Sequence, residues 1–228
     1  APQVVLSAGA IGSQQILPLS GVGDPERLGA LGIDTVHAAP EVGRNLQDHI
    51  GFELVHEARV PSLNATLGSW LGRGGAGLRY LLTRGGPLSL SVNQAGGFSR
   101  SDRSRGRRNT QLYFSPMSYT RARPGKRQLM KPDPFAGYML GMSNCHPQSR
   151  GSLHIRSPDP AEAPVIRPNY LSDPADMEEM LDSVPLMRAI AAQTPLAGVT
   201  RAELKPGPEV TEREALEDYI RASTGSIF

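Results

Sequence analysis

Short apolar stretches punctuate this chain, and their period changes along it. Val4-Val5-Leu6 is a β-branched run that ends in the small residues Ser7-Ala8-Gly9-Ala10. Ile11, Ile16 and Leu19 then fall near helical spacing, which predicts a helix over 12–19. Strand, small-residue turn, helix is the order of a buried strand in a parallel sheet. Its partner strands are not evident in the chain, and an unpaired apolar edge of that kind invites aggregation. Asp24-Pro25 predicts an N-cap followed by proline at the first helical position, with Leu28 and Leu31 inward and Gly32 closing the turn. Residues 33–42 are predicted extended.

Farther on, alternation predicts strands over 52–60, 111–114, 136–142 and 152–155. Pro- and Gly-rich loops between them favour an antiparallel sheet. A short helix is predicted over 78–83, closed by Gly85-Gly86-Pro87. A long one starts near Ser172-Asp173-Pro174 and runs toward Gln193, with Met177, Leu181, Val184, Met187 and Ala191 near helical spacing. Pro185 inside it predicts a bend one turn earlier. Thr211-Glu212-Arg213-Glu214 reads as a capping box opening a last helix that ends near Ile220.

Composition narrows the picture only modestly. The 228 residues give room for one or two domains, and 25 Gly with 20 Pro imply many loops. A net charge of +2 selects no partner class, and the single Cys145 excludes an internal disulfide framework. No apolar run approaches the ~18 residues of a membrane span. No signal peptide is visible, so localisation is open between the cytoplasm and association with a membrane.

Five clusters invite a chemical reading. Ser7, Ala8 and Gly9 are small enough to let a dinucleotide approach the backbone, and the helix behind them offers free N–H groups; a tightly packed corner with no ligand is the other reading. Asn45, Asp48 and His49 sit in a loop where their side chains either bond a cofactor or fix the turn itself. Gly72-Arg73-Gly74-Gly75-Ala76-Gly77 matches GxGxxG in form, but too short an apolar run precedes it and no acid stands about 20 residues on, so it reads as a flexible loop before a helix. Between Arg100 and Lys131 stand ten Lys/Arg and one acid, Asp102. An apolar strand with Tyr113 and Phe114 splits that cluster, which favours a solvated loop pair over a nucleic-acid surface. Cys145, His146 and His154 lack the paired spacing of a metal site.

The stretch from Ser7 to Gly23 resembles the second signature of the glucose-methanol-choline (GMC) oxidoreductases. GRNLQDH (Gly43 to His49), QAGGF (Gln94 to Phe98) and the stretch from Ser149 to Asp176 are similar to that family in the same order. The resemblance implies an α/β (α+β) protein. Residues 1–50 would belong to an FAD-binding, Rossmann-like domain. Residues 51–228 would form a substrate domain, an antiparallel sheet backed by helices, with the family's C-terminal region from about 147. It implies FAD as cofactor near Ser7, Ala8, Gly9, Asn45, Asp48 and His49, and a role for Gln94 toward substrate.

The family's glycine-rich FAD loop is expected before Ala1, and its catalytic His, which is not His49, just past Phe228. The chain therefore reads as an internal piece of an FAD-dependent alcohol dehydrogenase or oxidase that is inactive alone, with the electron acceptor undefined and no metal or nucleic acid. In choline dehydrogenases the position of Gln94 holds Glu, so Gln94 points to an uncharged primary alcohol; backbone bonding within the sheet is the other reading of this residue. A choline dehydrogenase-type enzyme and a non-catalytic binding or scaffold domain are the alternatives.

Overall fold

The computed structural model describes residues 3–101, 106–120 and 131–227. The chain packs as two compact units, Ala1–Asp48 with Pro147–Asp176, and His49–His146 with Met177–Phe228. The division expected near residue 50 lies beside the first crossing. Residues 147–176, assigned from sequence to the second part, pack with the first.

In the first unit the predicted buried strand is absent. Val4 and Val5 are 76% and 79% exposed, because no strand among the described residues lies beside them to take their backbone hydrogen bonds. Helix α1 (Gly9–Leu19) starts earlier than expected, since Gly9 makes the turn at φ +76°. Strand β1 (Val22–Gly23) follows, then α2 (Pro25–Ala30) and β2 (His37–Ala38), which pairs parallel with β1. The 33–42 region is thus extended only in part. Gly21 permits the pairing. Its carbonyl accepts Val36 N–H at 2.8 Å, and a Cβ there would sit 2.5 Å from the Asp34 carbonyl. Asp24 caps α2 as predicted, accepting Glu26 N–H at 3.0 Å, and Leu28 is buried.

The second unit opens with β3 (Ile50–Ala58), α3 (Leu63–Gly68) and α4 (Trp70–Thr83). Here the loop reading of 72–77 fails, because the whole glycine-rich stretch is helical. Gly72 accounts for part of this. A Cβ there would fall 1.9 Å from the Thr66 carbonyl, so only glycine lets α4 start against α3. The N–H groups of a phosphate loop are therefore engaged within a helix. Ser69 caps it through Gly72 N–H at 3.0 Å, and Arg84 ends it at φ 53°. Strands β4 (Ala95–Ser99), β5 (Thr110–Ser115), β6 (Tyr119–Thr120), β7 (Lys131–Pro132) and β8 (Gly137–Asn144) follow. Buried Asn64 ties α3 to the turns beside β6 and β7 by donating to the carbonyls of Ser118 and Asp133 at 2.9 and 3.1 Å.

The chain then returns to the first unit as an antiparallel pair, β9 (Ser152–His154) and β10 (Val165–Arg167). Leu46 and Gly151 bridge, and Leu153 N–H donates to the Gly43 carbonyl at 2.7 Å, so the 43–48 loop is laced to this hairpin. Asp176 closes the unit. Its carboxylate, 1% exposed as a residue, accepts the N–H groups of Gln148 and Ser149 at 2.7 and 2.8 Å.

From α5 (Pro174–Ala191) onward come α6 (Thr194–Ala197), β11 (Thr200–Lys205), α7 (Arg213–Ser223) and β12 (Gly225–Ser226). Helix α5 is continuous through Pro185, which lies on its exposed side. The predicted capping box does not form. Glu212 is the N-cap of α7 without a side-chain bond, and Arg213 pairs with Glu178 and Glu217 instead. The antiparallel sheet runs β11-β3-β8-β5-β4, with β12 also on β3. On one face Phe52 lies opposite Met142 and Leu54 opposite Leu140. These side chains, with Met177, Met180, Val184 and Met187 of α5 and Leu216 and Ile220 of α7, are among the buried apolar residues of the unit. Arg188 grips Glu203 through two bonds of 2.8 and 3.1 Å and also reaches the carbonyls of Gly207 and Val210.

Replacing Asp176 with Ala strands the buried Ser149 N–H and the part-buried Gln148 N–H and should cost roughly 1–3 kcal/mol, read as a lower urea midpoint; a shift below about 0.5 kcal/mol would show the carboxylate to be dispensable. His56, buried and stacked on Tyr138 at 4.8 Å, has its pKa lowered by burial, against the opposing pull of Glu203. The unfolded chain then takes up this proton first, so stability falls as pH drops below about 6.5. The midpoint lost between pH 7.5 and 5.5 should be smaller in His56→Phe than in wild type, and an equal loss refutes this assignment.

Candidate active site

Side chains alternate across a strand, and the face of the main sheet opposite its apolar core presents Gly51, Glu53 and Val55 of β3, Met139 and Gly141 of β8, Gln111 and Tyr113 of β5, and Gly96 and Phe98 of β4. Tyr113 stands opposite Gly141 on one side and Gly96 on the other. A Cβ on Gly141 would fall 1.9 Å from the Tyr113 ring, and one on Gly51 2.9 Å from its hydroxyl. The ring therefore lies across the glycines, and its hydroxyl donates to the Met142 carbonyl at 3.2 Å.

Above this floor opens a cavity of about 1550 Å³, with Glu53, Gln94, Tyr113, Tyr119, Tyr219 and Ser226 in its wall. It exceeds the roughly 300–1,000 Å³ of a pocket for one small molecule, so it has room for a ring system beside a small substrate. Strand β12 lies along the rim, paired with Ile50 and Gly51. Tyr219 of α7 donates to the Glu53 carbonyl at 2.5 Å and packs edge-on against Phe52.

Gln94 stands just before β4, in the cavity wall. Its backbone N–H bonds the Phe114 carbonyl at 2.9 Å, while its exposed side chain faces the cavity without a hydrogen-bond partner among the described residues. Glu53, Tyr113 and Tyr219 were not singled out from sequence. For Tyr113 the only signal is register, since a tyrosine opposite glycines on both neighbouring strands becomes visible once the strands are aligned.

The cofactor candidates fall on different units. Ser7, Ala8 and Gly9 form an exposed turn in the first. No atom lies within 4 Å of where a Gly9 Cβ would be. The turn leads into α1, which has no side-chain cap and no acid in its first turn. Exposed backbone, helix N–H groups and no repelling charge fit a nucleotide lying on this turn. In the same unit Asn45, at φ 55°, donates to Glu41 at 3.3 Å, and Asp48 accepts from Tyr170 hydroxyl at 2.6 Å. Asn45 thus bonds within its own loop, and Asp48 ties that loop to the 147–176 segment. His49 belongs to the second unit, where its carbonyl accepts Ile227 N–H at 3.3 Å.

Among the described residues no three His, Cys, Asp or Glu gather to hold a metal, and no helix is long and apolar enough to cross a membrane. Of the basic segment, Arg103, Arg105, Arg121, Arg123, Lys126 and Arg127 lie outside the described residues.

Two family profiles, both described as GMC oxidoreductase, match residues 1–51 and 147–228. An alcohol dehydrogenase [acceptor] of Pseudomonas putida is 37% identical over 227 residues, 99% of this chain and 40% of the relative. An oxygen-dependent choline dehydrogenase of Staphylococcus aureus (strain MSSA476) is 34% identical over 226 residues, 97% of this chain and 38% of the relative. The chain thus spans about two fifths of the length of these relatives. Among solved structures, pyridoxine 4-oxidase from Mesorbium loti superposes with a TM-score of 0.78 at 26% identity, covering 99% of this chain and 39% of that one. A formate oxidase of Aspergillus oryzae RIB40 superposes at 0.84 with 19% identity, 99% and 43% covered, a likeness of fold.

The glycine floor is testable by a double-mutant cycle. Gly141→Ala should cost about 1–3 kcal/mol, as overpacking does, and much less in a Tyr113→Ala background. Urea unfolding of the four proteins reads the coupling, and additivity within about 0.5 kcal/mol would mean that the ring does not rest on Gly141.

Proposed function

Because this chain belongs to the GMC oxidoreductase family, we propose that it forms the substrate-side sheet and part of the cofactor-side unit of an FAD-dependent oxidoreductase acting on alcohols. One observation above all supports this. Gln94–Phe98 and the 224–227 stretch, far apart in sequence, line one cavity, and the family resemblance assigns both to the neighbourhood of the reacting alcohol. FAD is the cofactor of the family, and when bound it accepts the hydride released from the carbinol carbon.

The chain's own residues then bind and orient. Ser7, Ala8 and Gly9 offer small side chains and helix N–H groups to the dinucleotide. Asn45 and Asp48 stiffen the second loop beneath it, and His49 follows on that loop. Tyr113 sets the depth of the cavity, and the glycines around it make room for its ring against the strands. The Gln94 amide both donates and accepts, as a neutral hydroxyl requires. The cavity wall contains no His among its described residues. The resemblance assigns the proton acceptor to a His just past Phe228, and β12 leads toward the cavity.

We favour an uncharged primary alcohol as substrate. A choline-like alcohol is the second reading, and Glu53 in the cavity wall is the observation on its side, although Lys205 in the same wall offsets that charge. An enzyme that includes this chain together with the family's FAD loop and His separates the two. Wild type should reduce a dye with a medium-chain primary alcohol in preference to choline. Gln94→Glu should lose about fivefold to tenfold in kcat/KM for the neutral alcohol, the worth of one hydrogen bond, and gain toward choline. Choline preferred by wild type would end the neutral-alcohol reading. Failure to reduce the dye with any alcohol, in a protein that holds FAD, would end the proposal itself.

A further inference from the structure

Helix α4 turns its largest side chains outward. Trp70, Leu71, Leu78, Leu81 and Leu82 are all between 59% and 78% exposed. At 100° per residue they fall within one arc of roughly 120°. Only Ala76 of this helix is buried. The apolar stripe is thus the outer face of the helix, not its core face. Leu88 and Leu90, just beyond it, are exposed as well. A contiguous apolar surface of this kind marks an interaction site.

Charge identifies the partner. From residue 58 to residue 101 there is no Asp or Glu, while Arg59, Arg73, Arg79, Arg84 and Arg100 are present. Three of these flank the stripe. By the same wheel Arg73 and Arg84 stand on one shoulder and Arg79 on the other. Arg73 is braced by the carbonyls of Leu67 and Gly68, and Arg84 lies 5.5 Å over the Tyr80 ring, so both keep their charge beside the helix. A protein partner or a second copy of the chain would leave this all-cationic rim opposed to its like or in need of matching acids. Anionic headgroups supply the matching charge, while the Trp and Leu side chains enter the acyl boundary.

We propose that α4 is a membrane-docking helix that lies in the surface of an anionic bilayer, apolar stripe inward and arginines at headgroup level. This inference does not rest on the flavin reading. Its reach is interfacial, since 14 residues of helix cannot span a bilayer.

Trp70 is the only tryptophan of the chain, so its emission reports the docking directly. The chain is mixed with phosphatidylcholine vesicles with and without a third of phosphatidylglycerol. With the anionic vesicles the emission should shift to the blue and the protein should co-float. Arg73→Gln with Arg84→Gln should weaken partitioning by about tenfold or more, at roughly 1 kcal/mol per arginine. Leu78→Asp with Leu82→Asp should abolish it while far-ultraviolet circular dichroism stays unchanged. No blue shift and no flotation with a folded wild-type chain would overturn the proposal. So would binding indifferent to lipid charge. A dimer dissolved by the Leu→Asp pair, without lipid binding, would make a second copy of the chain the true occupant and overturn it equally.

Discussion

The second unit depends on one requirement, that strand β3 be paired along both edges. Residues 50 to 56 are buried, so their backbone groups have no access to water. Strand β8 satisfies one edge from Gly51 to Glu57. No single strand takes the other. β11 pairs with Val55 to Ala58, β12 pairs with Ile50 and Gly51, and Tyr219 donates to the Glu53 carbonyl between them. This divided edge draws the last helix and the last strand onto the sheet. It is also why 224–227 and the QAGGF stretch border the same cavity.

Much of this frame was legible in the residues. Asp24-Pro25 capped its helix as the side chains require, and the alternation over 52–60 found β3 within two residues of its start. Strands 111–114 and 136–142 were likewise found, somewhat short. The failures have separate causes. Residues 72–77 read as a loop because glycine propensity was weighed alone, whereas the close approach of Thr66 makes glycine necessary at 72. Met180 was passed over for Leu181, although the buried stripe runs through Met180. The capping box failed because Arg213 found two carboxylates in the fold. Val4 to Leu6 has strand residues and no neighbouring strand among the described residues, and propensity cannot supply one.

The site divides in the same way. Gln94, Ser7 and Gly9 were reached through motifs, which are local in sequence. Tyr113, Glu53 and Tyr219 were not, because they are brought to the cavity by neighbours met only in the fold, the adjacent strands for Tyr113 and Glu53 and the Glu53 carbonyl for Tyr219. Asn45 and Asp48 belong to a motif, yet their side chains engage Glu41 and Tyr170. Residue type suggested that these polar groups would bond, but not with which partners.

The interleaving of the two units has a consequence for how the chain must be assembled during synthesis. Residues 1–48 cannot close their unit until 147–176 have been made, and the sheet begun by β3 lacks its second edge until 200–226 emerge. Contacts of such long sequence separation form slowly. Neither unit can therefore fold as an independent leading block, as domains in tandem do. During that interval β3 presents an apolar strand with one edge open, the form most prone to mispair. The interval is set by the order of these segments along the chain, so a stabilising change within 1–48 or within β3 does not shorten it.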